Sequence, residues 1–319
     1  MIVYNKEIDL GLSDFGIEVP LLDDRSSKTF SKLGHMRETD LNLIPLLKRE
    51  DLLLVHTKEY VDKLFSSNLK EQLHKCYELV GSDGKHKRYN PKKSIFELEK
   101  LFDRILLQAS CTNYATGLAL KSGFCFSLAG GMHHAMSDTP RGFCLINDLV
   151  IAARKFQKDH TGSKVAIIDI DAHKGCGSAQ ITASDSSIET LSIHMNSGWP
   201  LDEESGDGPW RIPSTIDIGV EVNEQEKYID LLAEGLKKVG ECDLALVAAG
   251  ADPFEGDVLE SAAGLSLSKE VMLERDLLVY NFLKEKNIPQ VWTLAGGYGP
   301  KTWEIYYQFL RSIREEESF

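Results

Sequence analysis

Asp169, Asp171 and His173 stand two residues apart, and in an extended segment that period places all three side chains on one side. They follow Val165 to Ile168, a short β-branched run of the kind buried on both faces of a parallel sheet. A solvated strand end would account for one aspartate. Three aligned ligand-type side chains followed by the turn Gly175-Cys176-Gly177 instead suit a hard divalent cation. The same arrangement recurs: His133 and His134 follow the apolar stretch FCFSLAGG, Asp252 follows LALVAAGA, and Tyr298 follows the run from Gln290 to Leu294. Ligands of open α/β sheets bind beyond the carboxyl ends of the strands, so these clusters are expected on one rim.

The chemistry follows from the residue types. Asp171, His173 and Asp252 would supply three ligands and leave one position open, the arrangement of a catalytic zinc that acidifies a water to a pKa of about 7. His133 and His134 could hydrogen-bond that water and trade its proton. Tyr298 could donate to an oxyanion. Glycines 296, 297 and 299 fit a plain tight turn equally well. The implied reaction is attack of water on a carbonyl.

The elements that must position these groups read as strands alternating with helices, hence an α/β domain around a mostly parallel sheet. Met1 to Tyr4 reads as an opening strand and Asp23 to Ser27 as turn material. Short helices are expected over Leu41 to Arg49 and Thr57 to Phe65, with His56 a structural histidine at a strand end between them. Residues 81–94, GSDGKHKRYNPKKS, form a basic surface loop of the kind that borders a site. Leu98, Leu101, Phe102, Ile105 and Leu106 have helical spacing. Asn147 caps a helix from Leu149 to Phe156, Ser187 to His194 is a strand, and residues 195–214 are a recognition loop. Asn223 and Glu226 have capping-box spacing ahead of the stripe Ile229, Leu232, Ala233, Leu236 and Val239. Ser268 caps a helix through Leu283, and Thr302 to Arg314 is the closing helix.

The composition narrows the class. The 319 residues bury a full-sized core and read as one domain over 1–319, with no linker or internal repeat. No apolar run reaches the ~18 residues needed to span a bilayer, and the amino terminus lacks a signal peptide, so a cytoplasmic protein is expected. Six cysteines without a C-x-x-C pair indicate a reducing compartment. A net charge of −13 argues against a nucleic-acid surface. It is compatible with basic substrates such as lysine-bearing peptides or polyamines, without deciding between them.

These residues resemble the histone deacetylase superfamily, the arginase-like fold of zinc amidohydrolases, and its class IV branch most of all. The matching pieces are GGMHHAMSDTPRGFCLIND (130–148), IDIDAHKGCG (168–177), LSIH (191–194), GADPFEGDVL (250–259), GLSLS (264–268) and GGY (296–298), in the family's order. The first 125 residues match loosely, through LLLVHTKEYV. The resemblance implies a three-layer single domain and one Zn2+ held by Asp171, His173 and Asp252. It implies that Tyr298 polarises the acyl carbonyl, that His134 is general base and then acid, and that His133, held by Asp169, is its electrostatic partner. Gly142 and Phe143 would form one wall of an acyl-lysine tunnel, with Trp199 opposite and Gly296 and Leu259 also at the substrate, although Phe143 equally fits ordinary core packing. Asp169, Asp171, Ser192 and the backbone of His173 and Ile193 would hold a monovalent cation such as K+. Leu259 stands where polyamine-selective relatives carry glutamate, which favours acyl-lysine over acetylpolyamine.

Two departures bear on turnover. Cys176 stands where the family has Asn or Asp to orient the imidazole matching His134, and a thiol is a poor acceptor. Lys174 places a charge beside the metal site unless it points outward. The leading expectation is a zinc-dependent deacylase of N-ε-acyl-lysine. The alternatives are an acetylpolyamine hydrolase, a dimanganese ureohydrolase of the same fold, and a catalytically impaired acyl-lysine-binding protein.

Overall fold

The short apolar runs pair edge to edge. In this computed structural model, which describes residues 1–21, 24–34, 36–202 and 208–316, seven strands form one sheet: β1 Ile2–Val3, β2 Phe124–Ser127, β3 Val165–Asp169, β4 Ile188–Met195, β5 Ile216–Val220, β6 Leu244–Ala248 and β7 Gln290–Thr293. Their order is β1-β2-β7-β6-β3-β4-β5, and every neighbouring pair is parallel. Strands β2, β7, β6 and β3 are consecutive neighbours, and Ser127, Thr293, Ala248 and Asp169 lie in register across them. The segments carrying the reactive residues therefore all leave the same edge of the sheet.

The helices are α1 Arg25–Lys32, α2 Arg49–Leu52, α3 Lys58–Leu64, α4 Leu69–Cys76, α5 Leu101–Ser122, α6 Asp148–Asp159, α7 Cys176–Thr182, α8 Tyr228–Leu236, α9 Lys269–Glu285 and α10 Trp303–Glu316. They flank the sheet: α5 packs on α6 and β2, while α1, α10, α9 and α8 pack on one another in that order. Two of the expected caps are made. The Asn147 side chain accepts from Val150 N–H (3.0 Å) and Ser268 Oγ from Val271 N–H (3.3 Å). No helix among the described residues is long and apolar enough to cross a membrane.

Several local expectations are corrected. Residues 41–49 are not a helix: a single 3-10 turn, Leu41–Leu43, ends because Pro45 holds Ile44 extended. Arg25 to Ser27 open α1 instead of forming a turn, and Asp23 lies outside the described residues. Residues 52–56 form a helix end and turn, not a strand, yet His56 is buried, with Nδ1 2.9 Å from Met136 O and Nε2 accepting from Asn147 N–H (3.1 Å). Asn223 and Glu226 make no capping box. They fall within a 3-10 segment broken at Glu224, and α8 begins at Tyr228 without a side-chain cap. Strand β5 was not expected from the sequence, although Ile216, Ile218 and Val220 alternate with Asp217 and Gly219 as in a half-buried edge strand.

The main core surrounds the sheet, and a second cluster forms from the amino-terminal third: Phe15, Leu52, Tyr60, Leu73, Leu101 and Phe102 pack with Met132, Ala135 and Leu145. The weakly patterned first third is thus the platform under the tandem-histidine loop.

Arg275 on α9 joins the two most charged edges. It is fully buried, and its Nη1 donates to Ile170 O (2.9 Å) after β3 and to Gly250 O (2.8 Å) after β6, while Nε donates to Asp276 Oδ1 (2.9 Å). Replacing Arg275 by Met orphans two carbonyls and the buried Asp276, so urea unfolding should show a loss of about 3–5 kcal/mol. A change below about 1 kcal/mol would show that the clamp is not structural.

Candidate active site

Two segments, the turns after β3 and β6, bring Asp171, His173 and Asp252 together. One ligand atom from each lies within 4.8 Å of the others, and all three residues are buried. His173 Nδ1 is 2.9 Å from Asp252 Oδ2 and 3.2 Å from Asp171 Oδ1. The other carboxylate contacts come from backbone: Gly296 N–H donates to Asp171 Oδ2 (2.8 Å) and Ala172 N–H to Asp252 Oδ1 (3.0 Å). Position 296 must be glycine because a Cβ there would lie 2.5 Å from both Asp171 Oδ2 and Asp252 Oδ2. Gly296 thus backs the carboxylates and is not among the residues lining the cavity.

The donor set fits a divalent cation: one imidazole nitrogen and two carboxylates converge in a dry setting, where unneutralised charge is costly. Among protein groups alone the imidazole absorbs that charge. Burial would lower the His173 pKa, but the hydrogen bonds to Asp171 and Asp252 push it up to about 10. Burial and the nearby Asp171 raise Asp252 to about 7. Burial acts the same way on Asp171, yet His133 and His173 overcome it and hold that carboxyl well below its usual range.

The tandem histidines divide in character. His133 Nδ1 lies 2.6 Å from Asp169 Oδ2, and although burial opposes the charge, Asp169 and Asp171 push its pKa up to about 9. His134 goes the other way. Burial, then the charges of His133 and His173, hold it well below the ordinary range, so it is neutral and free to accept a proton. Its Nδ1 faces Cys176 Sγ at 3.4 Å, and burial pushes that thiol up to about 12. A carboxylate would accept from Nδ1–H and leave Nε2 as the base. A thiol both donates and accepts weakly, so the tautomer is not fixed.

Lys174 does not point outward. It is 3% exposed, and Nζ lies 3.1 Å from Asp217 Oδ2 on β5. Asp169 and Ser192 are register partners on β3 and β4. Ser192 Oγ already accepts from Gly175 N–H (3.3 Å) and lies 3.1 Å from His194 Nδ1.

A cavity of about 250 Å3 opens onto this cluster, and His134, His173 and Tyr298 share its lining with Gly142, Phe143, Trp199 and Leu259. Phe143 has φ 64°, a strained value for a side-chain-bearing residue. Its ring stacks on Tyr77 (6.1 Å) and meets Tyr298 edge-on (6.1 Å). Trp199 stands edge-on to His134 (4.5 Å) and to His173 (5.5 Å). Glycine at 142 follows from φ 51° and from the collision a Cβ would make with Trp199 and His134. Tyr298 N–H donates to Asp257 Oδ2 (2.6 Å), whose other oxygen accepts from Leu259 N–H (2.8 Å), so one carboxylate joins two edges of the cavity.

Sequence reasoning missed this joint, and also the lining residues Glu78 and Ser261, whose side chains carry no spacing signal, whereas Arg88 lies in the basic loop expected to border a site. It missed Asp148, which accepts from Gly131 and Met132 N–H (3.0 and 2.7 Å) and anchors the histidine loop. It also missed Arg25 and Tyr306, which donate to Gly296 O (2.9 and 2.8 Å).

Comparison with known proteins agrees. The histone deacetylase domain model matches residues 23–310. Histone deacetylase 2 of Arabidopsis thaliana is 28% identical over 254 residues, covering 78% of this chain and 60% of its own length. A probable deacetylase of Methanothermobacter thermautotrophicus is 25% identical over 280 residues, covering 84% of this chain and 77% of its own. The crystal structure of the HDA15 HD domain superposes with a TM-score of 0.69 at 18% identity, over 99% of this chain and 91% of that one, a likeness of fold. The chain spans less than two thirds of several curated relatives, 60% and 58% of two from Arabidopsis thaliana. With most of its length matched by one domain model and its reactive residues gathered at one edge of the sheet, this chain belongs to the histone deacetylase family.

Proposed function

We propose that the chain is a single-domain, zinc-dependent deacylase that removes acyl groups from lysine side chains. The observation that carries this reading is the cavity, which joins a metal-type donor, a neutral histidine and a buried tyrosine in a slot walled by Phe143 and Trp199. Its 250 Å3 is small beside the roughly 300–1,000 Å3 of general ligand pockets and suits a linear chain. Asp171, His173 and Asp252 would hold the zinc, which supplies an acidified water and polarises the acyl oxygen.

This chain's own residues do the rest. The aromatic walls align the aliphatic stem, and Tyr298 donates its hydroxyl to the carbonyl oxygen as negative charge grows there. His134 takes a proton from the attacking water and delivers it to the amine nitrogen as the C–N bond breaks, leaving a carboxylate and a free lysine. His133, kept charged by Asp169, holds His134 a weak base that surrenders the proton readily. A monovalent cation beside Asp169 and Ser192 is part of the same reading, and Leu259 favours acyl-lysine over an acetylpolyamine.

Two rivals rest on specific observations. His133, His134 and Asp171 form a second group of metal-type donors, as a dimanganese ureohydrolase would need. However, His133 is committed to Asp169, and metal analysis finding two manganese ions per chain would reverse the order. The thiol at 176 favours a protein that binds acyl-lysine without hydrolysing it.

Three outcomes test the reading. His134→Ala should lower kcat/KM on an acyl-lysine peptide by about 10²–10⁴-fold, and undiminished zinc-dependent turnover would sink the mechanism. Cys176→Asn should raise kcat about tenfold, since outer-shell partners tune such sites by about 10–100-fold; an unchanged rate would show that the thiol orients His134 adequately. Because the His173 pKa is raised to about 10, the proton bound at neutral pH must leave when zinc enters. Calorimetry in buffers of different ionisation enthalpy should therefore show proton release, with zinc affinity weakening about tenfold for each unit fall in pH per proton displaced; uptake of zinc without release would refute the ligand assignment.

A further inference from the structure

The stretch 81–94 takes no part in the chemistry above. It carries five cationic side chains, Lys85, Lys87, Arg88, Lys92 and Lys93, against one carboxylate, Asp83, in a chain of net charge −13. Its backbone is fixed. Val80 and His86 form an antiparallel bridge, Gly81 N–H donates to Lys85 O (2.8 Å) and Lys87 N–H to Leu79 O (3.0 Å). Glu18 N–H donates to Arg88 O (2.8 Å) and Asn90 N–H to Gly16 O (2.7 Å), tying the hairpin to the amino-terminal segment.

This hairpin forms one lip of the cavity. Arg88 lines it, with its guanidinium 5.3 Å from the Phe143 ring. Glu78, at φ 51°, lines the same mouth and meets Arg88 at 2.9 Å and Lys87 at 3.6 Å, so one carboxylate faces two cations. Lys85 and Lys87 are 84% and 58% exposed, Lys85 with its Nζ 3.5 Å from Asp83 Oδ2. Glu255 and Glu260 are exposed on the segment that carries the lining residues Leu259 and Ser261, and both border a neighbouring cavity. The hairpin side of the entrance therefore carries an excess of one cation, with Lys85, Lys87 and Arg88 set against Asp83 and Glu78.

We infer that the hairpin is a specificity element that selects acyl-lysine substrates bearing Asp or Glu close to the acylated residue, and disfavours lysine-rich flanks on that side. This rests on the deacylase reading, since it takes the acyl-lysine to enter between Phe143 and Trp199. A flanking carboxylate that reaches Lys85, Lys87 or Arg88 makes the same contact before and during reaction, so the preference belongs in KM and not in kcat. For exposed charges about 4 Å apart it amounts to about fivefold per pair at low salt, and it fades as ionic strength rises.

The test uses three acetyl-lysine peptides with Glu, Gln or Lys at the positions flanking the modified residue, assayed for turnover and for binding by fluorescence anisotropy. Wild type should show KM and Kd rising from Glu to Gln to Lys, by about five- to twentyfold overall, collapsing in about 0.5 M salt. Lys85→Glu/Lys87→Glu, both on exposed positions, should invert the order, and Arg88→Glu should invert it further. If the Gln peptide is turned over but the three KM values coincide, or the order survives charge reversal, the hairpin has no such role and the deacylase reading stands. If no acetyl-lysine peptide binds or reacts, both fall together.

Discussion

Burying two carboxylates side by side is the constraint on which the rest of this structure depends. Asp171 and Asp252 sit on neighbouring edges with almost no access to water, where an uncompensated charge costs several kcal/mol. They are tolerable only because His173 lies between them and because backbone N–H groups of Ala172, His173 and Gly296 point at their oxygens. Each compensating group comes from a different part of the chain or from a turn immediately beyond a strand. The parallel sheet makes the convergence automatic. Strands β2, β7, β6 and β3 run side by side and end in register, so four turns meet at one edge.

A second tier of buried polar groups keeps those turns in place. Arg275 holds the carbonyls after β3 and β6, Asp148 holds the backbone of the histidine loop, Asn147 caps α6 and spans to Ser178, and Asp257 joins the Tyr298 turn to Leu259. Irregular backbone buried this deeply needs a partner for each N–H and C=O. The aspartates and the arginine supply partners where no ladder can. Rigidity at the site is thus a consequence of polar satisfaction as much as of apolar packing.

The two residues that depart from the family pattern have different physical meanings. Cys176 keeps the place beside His134 but exchanges a strong acceptor for a weak one, which loosens control over which nitrogen carries the proton. Lys174 is accommodated by Asp217 on β5, two strands from β3, so its charge is neutralised by an ion pair at the sheet edge. One is a weak partner for a buried imidazole; the other is a locally balanced charge.

Much of this architecture is legible in the amino-acid sequence. The alternation of strands and helices, the caps at Asn147 and Ser268, and the identity of the charged clusters follow from local rules, because a β-branched run packs as a buried strand while the carboxylates at its tip cannot. Local rules failed where a neighbouring residue or a long-range partner decided the outcome. Pro45 cut short an expected helix, Asp217 on β5 drew Lys174 inward, and the capping pair at Asn223 and Glu226 was overridden by a kink at Glu224. By itself the sequence determined which side chains can bind a cation and move a proton, since that is a property of residue type and of two-residue spacing. Only the tertiary structure decided that the amino-terminal third supplies the lip and the floor of the cavity, that Arg88 and Glu78 reach its mouth, and that Asp257 ties its edges together. Those contacts join residues with no periodic relation along the chain, and nothing but the packed sheet and its second core brings them within reach.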